Sequence, residues 1–333
     1  MGNSEKKFET QKRLFEEIQK NLSAKYGLVD TISDVLNIGS DSAYRRVRCK
    51  KQLAISEIHT LCEHFQISFD MFMNVKNTYQ FDCVYRPLNL LNPNEYQNYI
   101  LAFSNNFEKL RTSGDLNIIM SATDIPVFHL ISHKELTFFK LYTWEHSVYN
   151  YDGCFEDFVN EIETTEIISS YQKINNNYEL VPSSEIWTDN TINTTLKLIN
   201  YYVDIDMFSN KNLPLLLCEQ ILNILDKLKK WSENSSKSNC TTLYQLYVSE
   251  MEPENTYCLM KQSGMTNCIV RLFTINHLNV LDKKFCMEAE NWLTKLSKRS
   301  ILLCGNAEKE RIKFFNSQRQ KVQLLMDKIQ KIY

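Results

Sequence analysis

Five basic side chains crowd into one ten-residue window, Ser42 to Lys51 (SAYRRVRCKK), which holds no acidic residue. Arginine presents a planar pair of donors that matches the O6 and N7 acceptors of guanine in the major groove. Lysine and arginine also neutralise phosphates, and Ser or Tyr hydroxyls reach base edges or the backbone. These residue types at this density are suited to nucleic-acid contact. The candidate contact residues are Ser40, Asp41, Ser42, Tyr44, Arg45, Arg46, Arg48, Lys50 and Lys51. The chain as a whole is no polycation, since 38 Lys and Arg face 40 Asp and Glu for a net charge of −2. Any affinity for nucleic acid must therefore come from this local patch.

The other reactive residue types assemble into no such pattern. His129 and His133 stand four apart with Glu135 nearby, a spacing that could put two ligands on one helix face. No H-E-x-x-H pattern or third ligand completes it, so ordinary histidines are expected there and at His59 and His64. Cys154, beside Gly153 and near His146, lacks an orienting third group and an oxyanion loop, and reads as a buried or loop thiol. The seven glycines are isolated, so no phosphate-binding loop can be written with them. No catalytic residue, metal or cofactor is expected, and the chain does not read as an enzyme.

The basic window sits in a patterned segment, Asp30 to Phe72. Ile32, Val35 and Leu36 give the apolar face of a short helix, Asn37-Ile38-Gly39 gives a turn, and Ala43 and Val47 give the inner face of a second short helix. Two short helices crossing steeply over a small core need this layout. Ser33 allows close approach, Ile38 plugs the corner, and Gly39 or Ser40 can cap the second helix. Ile55, Ile58, Leu61, Cys62 and Phe65 then form one stripe. Phe8, Leu14, Phe15, Ile18 and Leu22 supply another upstream.

Over about residues 8 to 75 the chain resembles the helix–turn–helix domain of λ-repressor-like (XRE-type) bacterial transcriptional regulators. Gln66-Ile67-Ser68-Phe69-Asp70-Met71-Phe72 matches the family's closing segment, where Ser caps a fifth helix. The resemblance implies a five-helix head whose helix near Ser40–Arg48 enters the major groove, with homodimers on paired half-sites one turn apart. Three positions depart from the pattern. Asn37 and Cys49 stand at customary glycines, and Ala54 replaces the capping Ser. The Ala43–Val47 spacing is closer to that of Fis-like helix–turn–helices.

The chain's 333 residues make roughly two domains. The expected boundary lies at 75/76, and no named family is evident over 76–333. Ten dispersed cysteines without a C-x-x-C pair, no signal-peptide core, and no apolar stretch of membrane-spanning length predict a cytoplasmic protein with no membrane contact. The expected fold class is mainly α, α+β overall, with a small antiparallel sheet. β-like runs occur at Phe81–Tyr85 and Leu116–Met120, with a helix near Asn94–Arg111 between them. Residues 126–232 read as almost wholly helical, with segments at 134–148, 156–178, 189–207 and 212–231. Asn234–Asn239 reads as a linker. Thr241–Ser249, Thr256–Lys261 and Thr266–Thr274 read as a three-stranded antiparallel meander. Helices at about 280–297 and 307–331 are expected to cover one face of the sheet, with a strand at Ser300–Cys304 between them. Aromatics cluster at 138–155 and 244–273, as core or as the lining of a ligand cavity.

The expected function is that of a sequence-specific DNA-binding transcriptional regulator. Residues 76–333 would serve effector sensing or dimerisation, with a small-molecule or protein effector unidentified. The alternative is a protein-interaction adaptor acting through the helical block.

Overall fold

The computed structural model describes residues 8–22, 27–65, 67, 69, 81, 83–88, 90, 92–238, 241–272 and 275–333. Its contacts divide the chain into two units, Met1–Asp82 and Cys83–Tyr333.

Four helices are described in the smaller unit: α1 (Glu9–Asn21), α2 (Leu28–Leu36), α3 (Ser40–Val47) and α4 (Ile55–Phe65). Each is amphipathic, and their stripes meet in one core of Leu14, Phe15, Ile18, Ile32, Ala43, Leu61 and Ile67. The α2–α3 turn is tight because Asn37 takes a left-handed conformation (φ 50°, ψ 52°). The Ser33 hydroxyl donates to the Ile38 carbonyl at 2.6 Å, closing the turn from inside. Cys49, just after α3, is also left-handed (φ 55°). Both positions thus adopt the backbone for which glycine is the low-cost residue; Asn tolerates it and Cys bears the strain. Gln11 of α1 holds the strained end in place. Its amide nitrogen donates to the carbonyls of Arg46 (2.7 Å) and Lys51 (2.9 Å), and its oxygen accepts from Leu53 N–H (3.0 Å). Ala54 brings no capping hydroxyl to α4, yet Glu57 accepts from the Ala54 N–H at 2.9 Å, the reciprocal half of a capping box. The fifth helix expected from Gln66–Phe72 lies outside the described residues, apart from Ile67 and Phe69.

The larger unit is built on an eight-stranded mixed sheet, in place of the small antiparallel one expected. In chain order come β1 (Cys83–Tyr85), α5 (Pro93–Thr112), β2 (Asn117–Ser121), α6 (Val127–Leu130), α7 (Lys134–Tyr149), α8 (Phe155–Ile162) and α9 (Thr165–Glu179). Then follow β3 (Ser183–Trp187), α10 (Asn193–Asp204), α11 (Leu213–Asn234), β4 (Tyr244–Val248), β5 (Tyr257–Gln262), β6 (Met265–Leu272) and β7 (Asn276–Val280). The chain closes with α12 (Lys283–Lys298), β8 (Ile301–Leu302) and α13 (Glu308–Ile332). The strand order is β1-β7-β6-β5-β2-β3-β4-β8. Only β2–β3 and β3–β4 are parallel, and both are joined by the helical crossovers that parallel pairs require. Among the described residues the class is mainly α with a sheet, and no helix is long and apolar enough to cross a membrane.

Five sequence expectations need correction. The block 126–232 is not all helix, because β3 lies within it. The segment 156–178 is two helices, parted where Glu163 is extended and the Thr164 hydroxyl caps α9 by accepting from Ile167 N–H. The meander is β5-β6-β7, with β4 excluded. Tyr244–Val248 pairs with β3 and β8, and β5 pairs with β2. The two C-terminal helices do not share a face. Ile119, Leu259, Cys268 and Val280 form one cross-strand row. α12 packs on that side of β2, β5 and β6 through Cys286, Leu293 and Leu296, while α13 packs on α10 and α11. The alternate row, including Ile118, Met120, Met260 and Leu246, enters the large core beneath α5–α11. Finally, the break at Asn234–Asn239 is no linker between domains: its described residues, 234–238, turn within this unit, and Ser236 bridges to Leu243.

Lys237 in that turn is 1% exposed. Its ammonium donates to the Tyr178 and Val181 carbonyls, at 2.7 Å each, and lies 3.4 Å from the centroid of the Tyr178 ring. Burial pushes its pKa down to about 7, with Glu185 and Glu179 opposing. An unfolded lysine keeps its proton to about pH 10.4. Above pH 7 the unfolded chain therefore binds the extra proton, and stability rises with pH. Above about pH 8.5 the buried Cys218, Cys258 and Cys268 thiols, held up to about 12, begin to reverse the trend. Between pH 7 and 8.5, denaturant unfolding should show the wild type gaining about 1.5 kcal/mol relative to Lys237→Met, a difference in which the thiol contributions cancel.

Candidate functional site

The helical phase of α3 sorts its side chains. Ala43 and Arg46 are buried and Val47 is half-buried, whereas Ser40, Asp41, Tyr44, Arg45, Arg48, Lys50 and Lys51 are exposed. Arg46 is thus a correction to the sequence assignment. It is 5% exposed, and its guanidinium forks onto Glu57 of α4 at 2.6 and 3.0 Å. Its remaining nitrogen donates to the Ser42 carbonyl (3.1 Å) and hydroxyl (2.6 Å), so half-buried Ser42 also faces this pair. The hydrogen bond from Arg46 holds the Glu57 carboxyl below its ordinary range against the opposing effect of burial. The outward residues gather round one ring. The Arg48 guanidinium carbon lies 5.6 Å and the Lys50 ammonium 6.0 Å from the Tyr44 ring centroid. Four exposed cations, Arg45, Arg48, Lys50 and Lys51, thus share this end of the unit with Asp41 in the first turn of α3.

The histidine pair does not form the imagined ligand face. His129 ends the single turn of α6, and His133 is the N-cap of α7. His129 is buried and bonds both oxygens of Glu185, at 2.8 and 3.0 Å. No group of three metal-ligating side chains stands together among the described residues. Cys154 caps α8 and donates to Asp157 at 3.0 Å, while His146 pairs with the Tyr202 hydroxyl. His59 and His64 are exposed on α4.

The larger unit carries a cavity of about 230 Å³ beneath α5, α6, α7 and α9. Among the described residues, the two aromatic clusters singled out in the sequence lend it no ring; Phe138, Phe139, Tyr142, Trp144, Phe155 and Tyr244 are buried in the core instead. The rings come instead from Tyr96, Tyr99 and Phe103 of α5, Phe128 of α6 and Tyr171 of α9, with aliphatic Ile100, Ile125, Met260 and Ile269 between them. Its polar wall is Asp124, Lys140 and Arg271. The Lys140 ammonium contacts Asp124 at 2.7 Å and the Thr195 hydroxyl at 3.3 Å. Arg271 lies 3.5 Å from Asp124 and donates to the Thr123 hydroxyl at 3.0 Å. Burial would raise the Asp124 carboxyl, but Lys140 and Arg271 outweigh it and hold it low. Burial pushes Tyr99 up to about 12 and His277 down; Arg86, beside both, opposes the first shift and adds to the second. No local spacing could have announced this wall, because its three residues lie on three separate stretches of chain.

The α3 geometry separates two kinds of arginine by experiment. Arg46→Ala and Glu57→Ala should each destabilise the smaller unit by about 2–4 kcal/mol, by stranding a partly buried charge. Arg45→Ala and Arg48→Ala should stay within about 0.5 kcal/mol of the wild type. Denaturant midpoints of the four variants check this. Comparison with known proteins supplies no further guide: no protein-family model, curated protein or solved structure matches the chain.

Proposed function

We propose that the protein is a DNA-binding transcriptional regulator that presents α3 to the major groove. The observation that carries this reading is the division of the basic window. Arg46 is turned inward and neutralised by Glu57, while Arg45, Arg48, Lys50 and Lys51 stay exposed beside Tyr44. A helix that served only to close a bundle would gain nothing from four outward cations in its last turn and just beyond. For contact with two phosphate backbones and the groove floor, they are the needed groups. The turns on either side of α3 support the reading too, since Asn37 before it and Cys49 after it adopt the left-handed backbone where the resembled family places glycine. Arg45 and Arg48 read bases or phosphates, Ser40 and Asp41 lie at the leading end, and Lys50 and Lys51 flank the groove. The protein acts as a homodimer on two half-sites about 34–36 Å apart. The larger unit provides effector sensing or dimerisation.

Binding of the full chain to mixed genomic fragments over a salt series tests this. A log–log slope of about −4 to −7 is expected for a dimer making four to eight phosphate contacts. Arg45→Ala and Arg48→Ala should weaken binding and flatten that slope by about 1 per lost contact. No binding at low salt, or variants indistinguishable from the wild type, would overturn the proposal. Sequencing of the bound fragments should return inverted half-sites about 10 base pairs apart.

A further inference from the structure

The polar wall of the cavity is not neutral. Lys140 and Arg271 bring two positive charges against the single carboxylate of Asp124. Lys140 is 5% exposed and Asp124 1%, so that pair is deeply buried, while the side chain of Arg271, the second cation, is 29% exposed. The ammonium uses two of its three hydrogens, on Asp124 and Thr195. Arg271 directs one nitrogen to Asp124 and another to Thr123, leaving further guanidinium hydrogens without a described acceptor. Opposite this wall the lining is apolar and aromatic. Its own hydroxyls are partly taken up, since those of Tyr96 and Tyr171 bond each other. Val127 lines the cavity yet is 49% exposed, which marks the mouth.

We propose that this cavity binds a small amphiphilic monoanion, an apolar body bearing one carboxylate, with its head on Lys140 and Arg271 and its body between Phe103, Phe128 and Ile269. The surplus cation selects the head, because a neutral or cationic head would leave the spare donors unpaired. A cavity of about 230 Å³ is small for a ligand site and favours a body of about ten carbons over a large polycycle. The inference deepens the sensing role given to the larger unit, while the binding itself requires no DNA.

Decanoate, decanol and decylammonium, each titrated below its aggregation concentration against the full chain, provide the test. Calorimetry and the thermal unfolding midpoint are the readouts. Decanoate should bind about ten- to a hundredfold more tightly than decanol, the effect of one charge-assisted hydrogen-bonded pair, and decylammonium should bind more weakly than either. At a hundred times its Kd, decanoate should raise the midpoint by about 5 °C. Arg271→Met should erase the preference for decanoate over decanol. Val127→Trp, placed at an exposed position that tolerates bulk, should weaken both at an unchanged midpoint of the free protein. Equal affinity for decanoate and decanol, tighter binding of decylammonium, or no midpoint shift with any of the three overturns the inference. A chain that binds decanoate but not DNA overturns only the regulator reading. One that binds DNA but not decanoate overturns only this one.

Discussion

A carboxylate with no exposure lies in the middle of the larger unit, and the arrangement above the sheet follows from how it is satisfied. Glu185 of β3 accepts from His129 on α6, from the Tyr178 hydroxyl on α9 at 2.6 Å, and from the Trp187 indole on its own strand at 2.8 Å. Burial would drive such a group toward its neutral form. The attraction and hydrogen bond of His129, with the bonds from Tyr178 and Trp187, outweigh burial and bring it down to about 2. An anion buried this deeply must keep every partner, so α6 and α9 are fixed over β3. Phe128, beside His129, then stacks on the Tyr178 ring with centroids 4.3 Å apart and planes 4° apart. Phe128 of that ring pair also lines the cavity. Helices that also line the cavity are therefore positioned by a group outside it.

The smaller unit uses the same physics at a different scale. The Arg46–Glu57 pair joins α3 to α4, and Glu57 also caps α4 through Ala54 N–H. Ser42 and Gln11 satisfy the groups round it. The pair removes one cation from the surface and fixes the rotation of α3 about its axis. That rotation decides which side chains of the basic window face solvent.

The smaller unit was largely legible in the sequence because its information is local. Apolar residues three and four apart gave the stripes, and the short breaks gave the turns. The misplacement of Arg46 was avoidable. Once Ala43 and Val47 are taken as the inner face, the residue three after Ala43 falls on that face too. Composition overruled phase, since an arginine among arginines was grouped with its neighbours. The larger unit was less legible for physical reasons. β3 reads Ser-Ser-Glu-Ile-Trp, a polar string with no alternation. Its buried Ser183 and Glu185 are satisfied by partners on other elements, such as the Tyr178 hydroxyl and His129. β4 pairs with β3 through the crossover that carries α10 and α11, and β5 pairs with β2 from more than a hundred residues away, so hairpin chemistry alone points to the wrong neighbour. The wall of the cavity joins residues 124, 140 and 271, so no window of sequence contains it.

Two buried polar networks in one unit, of similar composition, differ in what surrounds them. The Glu185 network is closed: rings of His129, Tyr178, Trp187 and Trp231 pack round it, and each oxygen has its donors. Such a network specifies one packing and leaves nothing over for a ligand. The Asp124 network is open on one side. Its carboxylate is as deeply buried, yet two cations converge on it and both reach the cavity wall. If Asp124 served only to neutralise Lys140, Arg271 would have no reason to point at the same oxygen from a strand whose other side chains are apolar or neutral. Lys140 alone would match Asp124, and Arg271, whose side chain is 29% exposed, adds a second cation at the cavity wall. A surplus kept beside an apolar cavity is explained most simply when the missing partner is not part of the chain.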